Sequence, residues 1–291
     1  MKQWIKAARP RTLILGLAAP SFVFFTINSH PEFNALSFTF FTLCFILLQL
    51  VSNLANDLGD GLKGSDSNKV GEQRTFGKKG FGKKEFVRAI IVVSVLAFVF
   101  GVLSLVVSNV SLQTKAAIFG LGIAAIIAAL TYTLGKKSYG YVGLGDLSVM
   151  IFFGFLPVYV PYILSTNEIA ENLWQMAVAI GCMSVAVLNV NNLRDYPEDK
   201  KNGKKTMVVR LGFTGGKIYH SLLLATAFVM AQLYVKPSAE DISIFIYAPL
   251  SFLSLLLAWV WQQKDLEKLD KSIKFHALTC LLIALSVGLI V

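Results

Sequence analysis

Long apolar stretches of about twenty residues, separated by short polar connectors, dominate this chain. They cover 13–29, 36–54, 87–107, 114–134, 143–164, 172–191, 216–235, 242–262 and 273–291. Read as helices rising about 1.5 Å per residue, each is roughly long enough for a hydrocarbon core of about 30 Å. The pattern predicts an all-α, polytopic membrane fold with nine transmembrane helices. The first stretch is the shortest in character, because Gly16 and Pro20 interrupt it. Nothing resembles a linker or a low-complexity tract, so residues 1–291 are expected to form a single domain.

Composition strengthens this picture. The 291 residues are 55% hydrophobic and only 15% charged, against about a quarter charged in a soluble domain. The net charge of +10 would suit a nucleic-acid surface, but its placement points elsewhere. Of the 27 Lys and Arg, all but Lys115 and Lys236 fall in segments 1–12, 55–88, 135–142, 192–217 and 263–274. With nine spans these segments share one side, which the positive-inside rule makes cytoplasmic. The chain is therefore expected in a bacterial-type inner membrane, N-terminus in the cytoplasm and Val291 outside, with the lipid bilayer and not nucleic acid as its partner. No small-residue cleavage site follows the first apolar run, so that helix is expected to be retained. Cys44, Cys182 and Cys280 lie within spans without a CxxC spacing and read as small buried hydrophobes. His30, His220 and His276 are isolated in sequence, with no ligand partner at a metal-binding spacing.

Two acidic clusters stand out where apolar runs end. Asn53, Asn56, Asp57 and Asp60 are spaced i, i+3, i+4, i+7 and share one helical face, with Asp66 following beyond Gly61 and Gly64. Asn191, Asp195 and Asp199 are spaced i, i+4, i+8; Pro197 disfavours helix before it, which puts Asp199 at the start of a loop. The plain reading is a pair of solvated helix ends. Carboxylates at a membrane boundary are costly, however, and intramembrane ionisable groups are functional by default. Oxygen-only ligands suit Mg2+, which takes one or two carboxylates together with phosphate oxygens. Five aspartates with a diphosphate outweigh two such ions by about four charges, so cations must help. Arg74, Lys136, Lys137, Arg194, Lys205 and Arg210 are the candidates.

Further polar positions lie on the same side. Tyr132 and Lys136, four apart, can hold one phosphate from a single helical turn. Asp146 enters the fifth span either as a helix N-terminal charge or as a substrate contact. Arg9 and Arg11 flank Pro10 at the start of the first helix, as cytoplasmic anchors or as grips for an anionic substrate.

Together, Asn56-Asp57-x-x-Asp60, Tyr132-x-x-x-Lys136 and Asn191-x-x-x-Asp195-x-x-x-Asp199 resemble the UbiA superfamily of intramembrane aromatic prenyltransferases. Ala7-Ala-Arg-Pro-Arg-Thr-Leu13, the run from Asn56 to Asp66, Tyr141-x-Gly-Leu-Gly-Asp146 and the run from Asn191 to Gly212 are similar to its 1,4-dihydroxy-2-naphthoate branch. The resemblance implies helices around a central cavity beneath an Asp-rich cytoplasmic cap. It implies Mg2+ and diphosphate at Asp57, Asp60, Asp195 and Asp199, assisted by Asn56 and Asn191, with Tyr132, Lys136 and Arg74 steadying the diphosphate. The implied substrates are a polyprenyl diphosphate and an aromatic acid: 1,4-dihydroxy-2-naphthoate, or alternatively 4-hydroxybenzoate or homogentisate. Two departures are visible. The superfamily's third acid would fall at Gly64, whereas this chain offers Asp66, and Glu72-Gln-Arg74 replaces the usual Gly-Pro-x-Arg. A CDP-alcohol phosphotransferase would need an Asp-Gly-x-x-Ala-Arg run that is absent here. A cation transporter would place its acids at mid-membrane depth on broken helices.

Overall fold

The apolar stretches fold as helices in the computed structural model, which describes residues 2–64, 75–78, 81–135, 138–235 and 243–290. No strand occurs among these residues. The first half comprises α1 (Lys2–Ala8), α2 (Pro10–Gly16), α3 (Ala18–Ile27), α4 (Ala35–Leu62), α5 (Lys83–Val107) and α6 (Leu112–Thr131). A 3-10 turn at Tyr139–Tyr141 leads to α7 (Gly145–Val149), a π-helical segment (Met150–Phe155) and α8 (Leu156–Thr166). Then follow α9 (Leu173–Arg194), α10 (Tyr196–Lys201), α11 (Met207–Tyr234), α12 (Ser243–Gln262) and α13 (Leu266–Ile290).

Among the described residues, seven helical stretches are long and apolar enough to cross a membrane: Pro10–Ile27, Ala35–Leu62, Lys83–Val107, Leu112–Thr131, Gly145–Thr166, Leu173–Arg194 and Leu266–Ile290. Of the expected spans 216–235 and 242–262, residues 216–234 and 243–262 are helical, within α11 and α12. The α11 run is less clear-cut, because it mixes Lys217 and His220 into its apolar residues.

Local sequence explains the irregular points. Pro10 opens α2 after Arg9, whose φ of 53° turns the chain sharply out of α1. At this break the Ala8 carbonyl accepts Asn53 Nδ2 at 2.9 Å, and that of Thr12 accepts Gln49 Nε2 at 2.6 Å. One polar face of α4 thus pins the broken first span. Pro157 has no N–H and its ring would crowd the carbonyl four residues earlier; the wider π turn ends just before it. In that segment a Cβ on Gly154 would lie 2.6 Å from the Ala177 carbonyl and 2.8 Å from Gly181 Cα. Only small residues allow α9 this close, as at membrane helix interfaces generally. Gly212, with φ 76° and ψ 168°, breaks α11 near its start, a conformation open to glycine.

Burial follows from this arrangement. α9 is the central helix, packed by α11, α13 and the π segment, and its buried side chains run almost its whole length. One apolar core joins α3, α8, α9, α11, α12 and α13. A second joins α1, α4 and α5. Between these two bodies lies the interior space. α6, with no fully buried side chain, closes it on one side.

Candidate active site

The periodicity of α4 decides which side chains reach the interior. It stays helical to Leu62, beyond the expected end of the span, so Gln49, Asn53, Asn56, Asp57 and Asp60 fall on adjoining turns of the same side. Asp57 and Asp60 are only 2% and 4% exposed. The second cluster is built differently from expectation. α9 ends at Arg194, Asp195 caps the junction, and Pro197 lies in the first turn of α10, where a missing N–H costs nothing. Asp199 therefore sits in a short helix and not at the start of a loop.

Both clusters line one cavity of about 150 Å³. Each carboxylate has a cation. Arg9 Nη2 donates to Asp57 Oδ1 at 2.7 Å. Arg194 grips Asp195 through two parallel bonds, Nε to Oδ1 at 2.7 Å and Nη2 to Oδ2 at 2.9 Å. Lys204 Nζ lies 3.3 Å from Asp199 Oδ1 and 3.7 Å from Asp60 Oδ1, so one ammonium links the two clusters. Tyr141 donates its hydroxyl to Asp60 Oδ1 at 2.7 Å, and its ring carries Lys63 at 3.9 Å and Lys204 at 4.4 Å. Lys63 also donates to the Thr133 carbonyl and Ser138 Oγ. Burial lowers the Lys63 pKa, opposed by the charge of Asp60 and aided by that of Lys204.

A second cavity, about 250 Å³, is lined almost entirely by apolar side chains of α4, α5, α6, α8 and the π segment. Phe41, Phe45, Phe119, Phe152 and Phe153 are among its walls. Arg9, Thr12, Asn56, Tyr132, Leu188 and Asn191 line both cavities, so the charged basin opens directly onto the apolar chamber. At this junction Asn56 Oδ1 accepts Thr133 Oγ1 at 3.1 Å, and Asn191 donates back to the Val187 carbonyl at 3.1 Å.

The remaining sequence-predicted positions do not share one fate. Asp66, Arg74, Lys136 and Lys137 fall outside the described residues. Asp146 accepts Tyr219 Oη at 3.2 Å and lines neither cavity. Arg210 donates to the Lys205 and Val142 carbonyls, holding the loop after α10 against the turn before α7. Arg11 lines the charged basin, with Nη1 2.9 Å from Asp270 Oδ2.

Among the described residues, no group of three or more His, Cys, Asp or Glu stands ready to hold a metal ion by itself. The basin nevertheless fits magnesium. Its donors are oxygens, a cation already occupies the gap between Asp60 and Asp199, and Mg2+ keeps several waters and needs few direct carboxylates.

The model of the UbiA prenyltransferase family matches residues 17–284. The chain belongs to the UbiA prenyltransferase family. It is accordingly an enzyme that transfers prenyl groups, and a multi-pass membrane protein. Over 234 residues it is 42% identical to a 1,4-dihydroxy-2-naphthoate octaprenyltransferase of Haemophilus influenzae, covering 78% of this chain and 75% of that one. A protein of the same name in Escherichia coli is 39% identical over 232 residues, covering 79% and 75%. A UbiA homolog from Archaeoglobus fulgidus bound to DMAPP and Mg2+ shares the fold, with a TM-score of 0.60 at 15% identity over 96% of this chain and 99% of that one.

In this UbiA chain several residues of the basin escape motif reading. Asp270, from α13, accepts Arg194 Nη1 at 2.5 Å as well as Arg11, tying the last helix to the second cluster. It sits in an ordinary run of charges, Asp265 to Lys271, and only tertiary contact singles it out. Lys204 is hidden among similar loop lysines, and Tyr141 in a glycine-rich turn. Tertiary contact also pairs two of the histidines. His220 and His276, isolated in sequence, meet with their Nε2 atoms 3.1 Å apart, and His276 Nδ1 lies 2.8 Å from the Ser272 carbonyl.

Proposed function

We propose that the protein moves a polyprenyl group from a polyprenyl diphosphate to 1,4-dihydroxy-2-naphthoate, in a Mg2+-dependent reaction that releases pyrophosphate and carbon dioxide and gives demethylmenaquinol. The observation carrying this reading is the junction: a basin of paired aspartates and cations opens directly onto an aromatic-lined apolar chamber. An amphiphile with a diphosphate head and an isoprenoid tail is the matching shape. The names of the two bacterial relatives supply the acceptor, and the ligands of the archaeal homolog supply the head group and the ion.

In this reading Asp57, Asp60, Asp195 and Asp199 hold the metal, with Asn56, Asn191 and Asp66 in support. When bound, the ion neutralises charge that develops on the leaving diphosphate. Arg9, Arg194 and Lys204 bring fixed positive charge to the same place, and Arg74, Lys136 and Lys137 extend it. Tyr132, which lines both the basin and the mouth of the chamber, offers its hydroxyl to the diphosphate. The chamber holds the isoprenoid, excludes water and presents ring faces to an allylic cation. As the carbon–oxygen bond to diphosphate breaks, the ring carbon bearing the carboxylate forms the new bond. Carbon dioxide then departs, and the electron pair of the broken bond restores the aromatic ring. Arg9 or Arg11 meets the acceptor carboxylate. The topology that suits this chemistry has nine spans, the basin and N-terminus in the cytoplasm and the C-terminus outside.

Membranes containing the protein, given a labelled polyprenyl diphosphate and each aromatic acid in turn, test the reading. Product and carbon dioxide are expected from the naphthoate, abolished by EDTA and restored by Mg2+. Product from 4-hydroxybenzoate or homogentisate alone would move the assignment to another acceptor. Turnover indifferent to EDTA would remove the metal.

A further inference from the structure

We propose that Lys204 is a built-in counter-cation of the basin: it bridges the two acidic clusters, then yields the carboxylates to the divalent ion and turns to the diphosphate. The inference rests on the magnesium–diphosphate reading of the basin and assigns a positioning role outside the aspartate motifs.

Three observations carry it. First, the ammonium stands between carboxylates from different clusters, 3.3 Å from Asp199 and 3.7 Å from Asp60, although Lys204 is only 8% exposed. A buried charge there needs both acids, and α4 and α10 are thereby tied across the cavity. Second, its contacts are loose. Arg9 and Arg194 approach their carboxylates to 2.7 Å, the distance of a full charge-assisted hydrogen bond. Lys204 is shared between two acids at longer range, so it is the easiest of these three cations to displace. Lysine suits that task, being a compact charge on a flexible stem. Third, its base is anchored while its tip is not confined to the acids. The Lys204 N–H donates to the Asp199 carbonyl at 2.9 Å, and Gly203, at φ 68°, makes the turn that allows it. The Tyr141 face already lies 4.4 Å from the ammonium, a contact the cation can keep as it leaves the carboxylates.

Charge competition fixes opposite signs for two binding measurements on Lys204→Met in the full-length, detergent-solubilised protein. Titrated with MgCl2 alone, the variant is expected to bind the ion about tenfold more tightly than wild type, because a competing positive charge about 4 Å away is gone. Titrated with inorganic pyrophosphate at saturating Mg2+, it is expected to bind about tenfold more weakly, having lost a ligand for the anion. A merely structural lysine would weaken both. Magnesium affinity unchanged or reduced in the variant, or pyrophosphate affinity unchanged, would overturn the proposal. Lys204→Gln carries the same two titrations if the methionine variant fails to fold. Wild-type protein that binds neither magnesium nor its pyrophosphate would instead sink the reading of the basin, and Lys204's role with it.

Discussion

Asp60→Asn is expected to lower prenyl transfer by about 10²–10³-fold while leaving the fold intact. Asp60 is buried, accepts the Tyr141 hydroxyl at 2.7 Å and faces Lys204 across the basin. Asparagine keeps the volume and an oxygen for Tyr141 but removes the charge that a divalent ion requires. Loss of one preorganised electrostatic group at a site of developing charge typically costs that much in rate. The check is turnover of labelled polyprenyl diphosphate in membranes, beside the thermal transition of the purified variant. Unchanged turnover would mean that Asp60 only pairs with its neighbours at a helix end.

The second large effect concerns stability. Asp270→Ala is expected to destabilise the protein by about 3 kcal/mol, the low end of the range for breaking a buried ion pair. Asp270 receives both Arg194 and Arg11, and the side chains of Asp270 and Arg194 are 12% and 10% exposed. Without the acid, two guanidiniums face each other in a largely buried space. Arg194 keeps Asp195, and Arg11 is 31% exposed, which is why the low end applies. In a thermal melt monitored by tryptophan fluorescence, the midpoint should fall by at least about 5 °C. A shift within about 1 °C would show that water reaches these arginines freely.

Much of this was legible in the chain before any fold was known. Apolar run length identifies helices because a helix must satisfy its backbone within itself in lipid. The i, i+3, i+4, i+7 spacing correctly put Asn53, Asn56, Asp57 and Asp60 on one side of α4, since that pattern depends only on helical geometry. The reading weakened where a position depends on partners distant in sequence. The partnership of Asp270 with Arg194 and Arg11 needs α13 to return beside α9, and no spacing rule encodes that. Lys204 looks like its neighbours Lys200, Lys201 and Lys205 until the turn at Gly203 aims it inward. The His220–His276 pair likewise exists only because α11 and α13 bring the two rings together. Pro197 misled for a different reason: a proline that ends one helix also starts another well, and α10 begins there. Span counting was clearest where runs are wholly apolar. It was least clear at α11, where Lys217 caps the end of α12 by donating to the Trp261 and Gln263 carbonyls.

Convergence of the two acidic clusters on one ion and one diphosphate can be observed directly with Mn2+ in place of Mg2+. In the presence of pyrophosphate, phosphorus-31 electron–nuclear double resonance should report a phosphorus-coupled Mn2+ in wild-type protein. That coupling should vanish in Asp60→Asn and equally in Asp195→Asn, each a change in a different cluster. Full coupling retained in either single variant would contradict a shared site, leaving one cluster sufficient and the other a bystander.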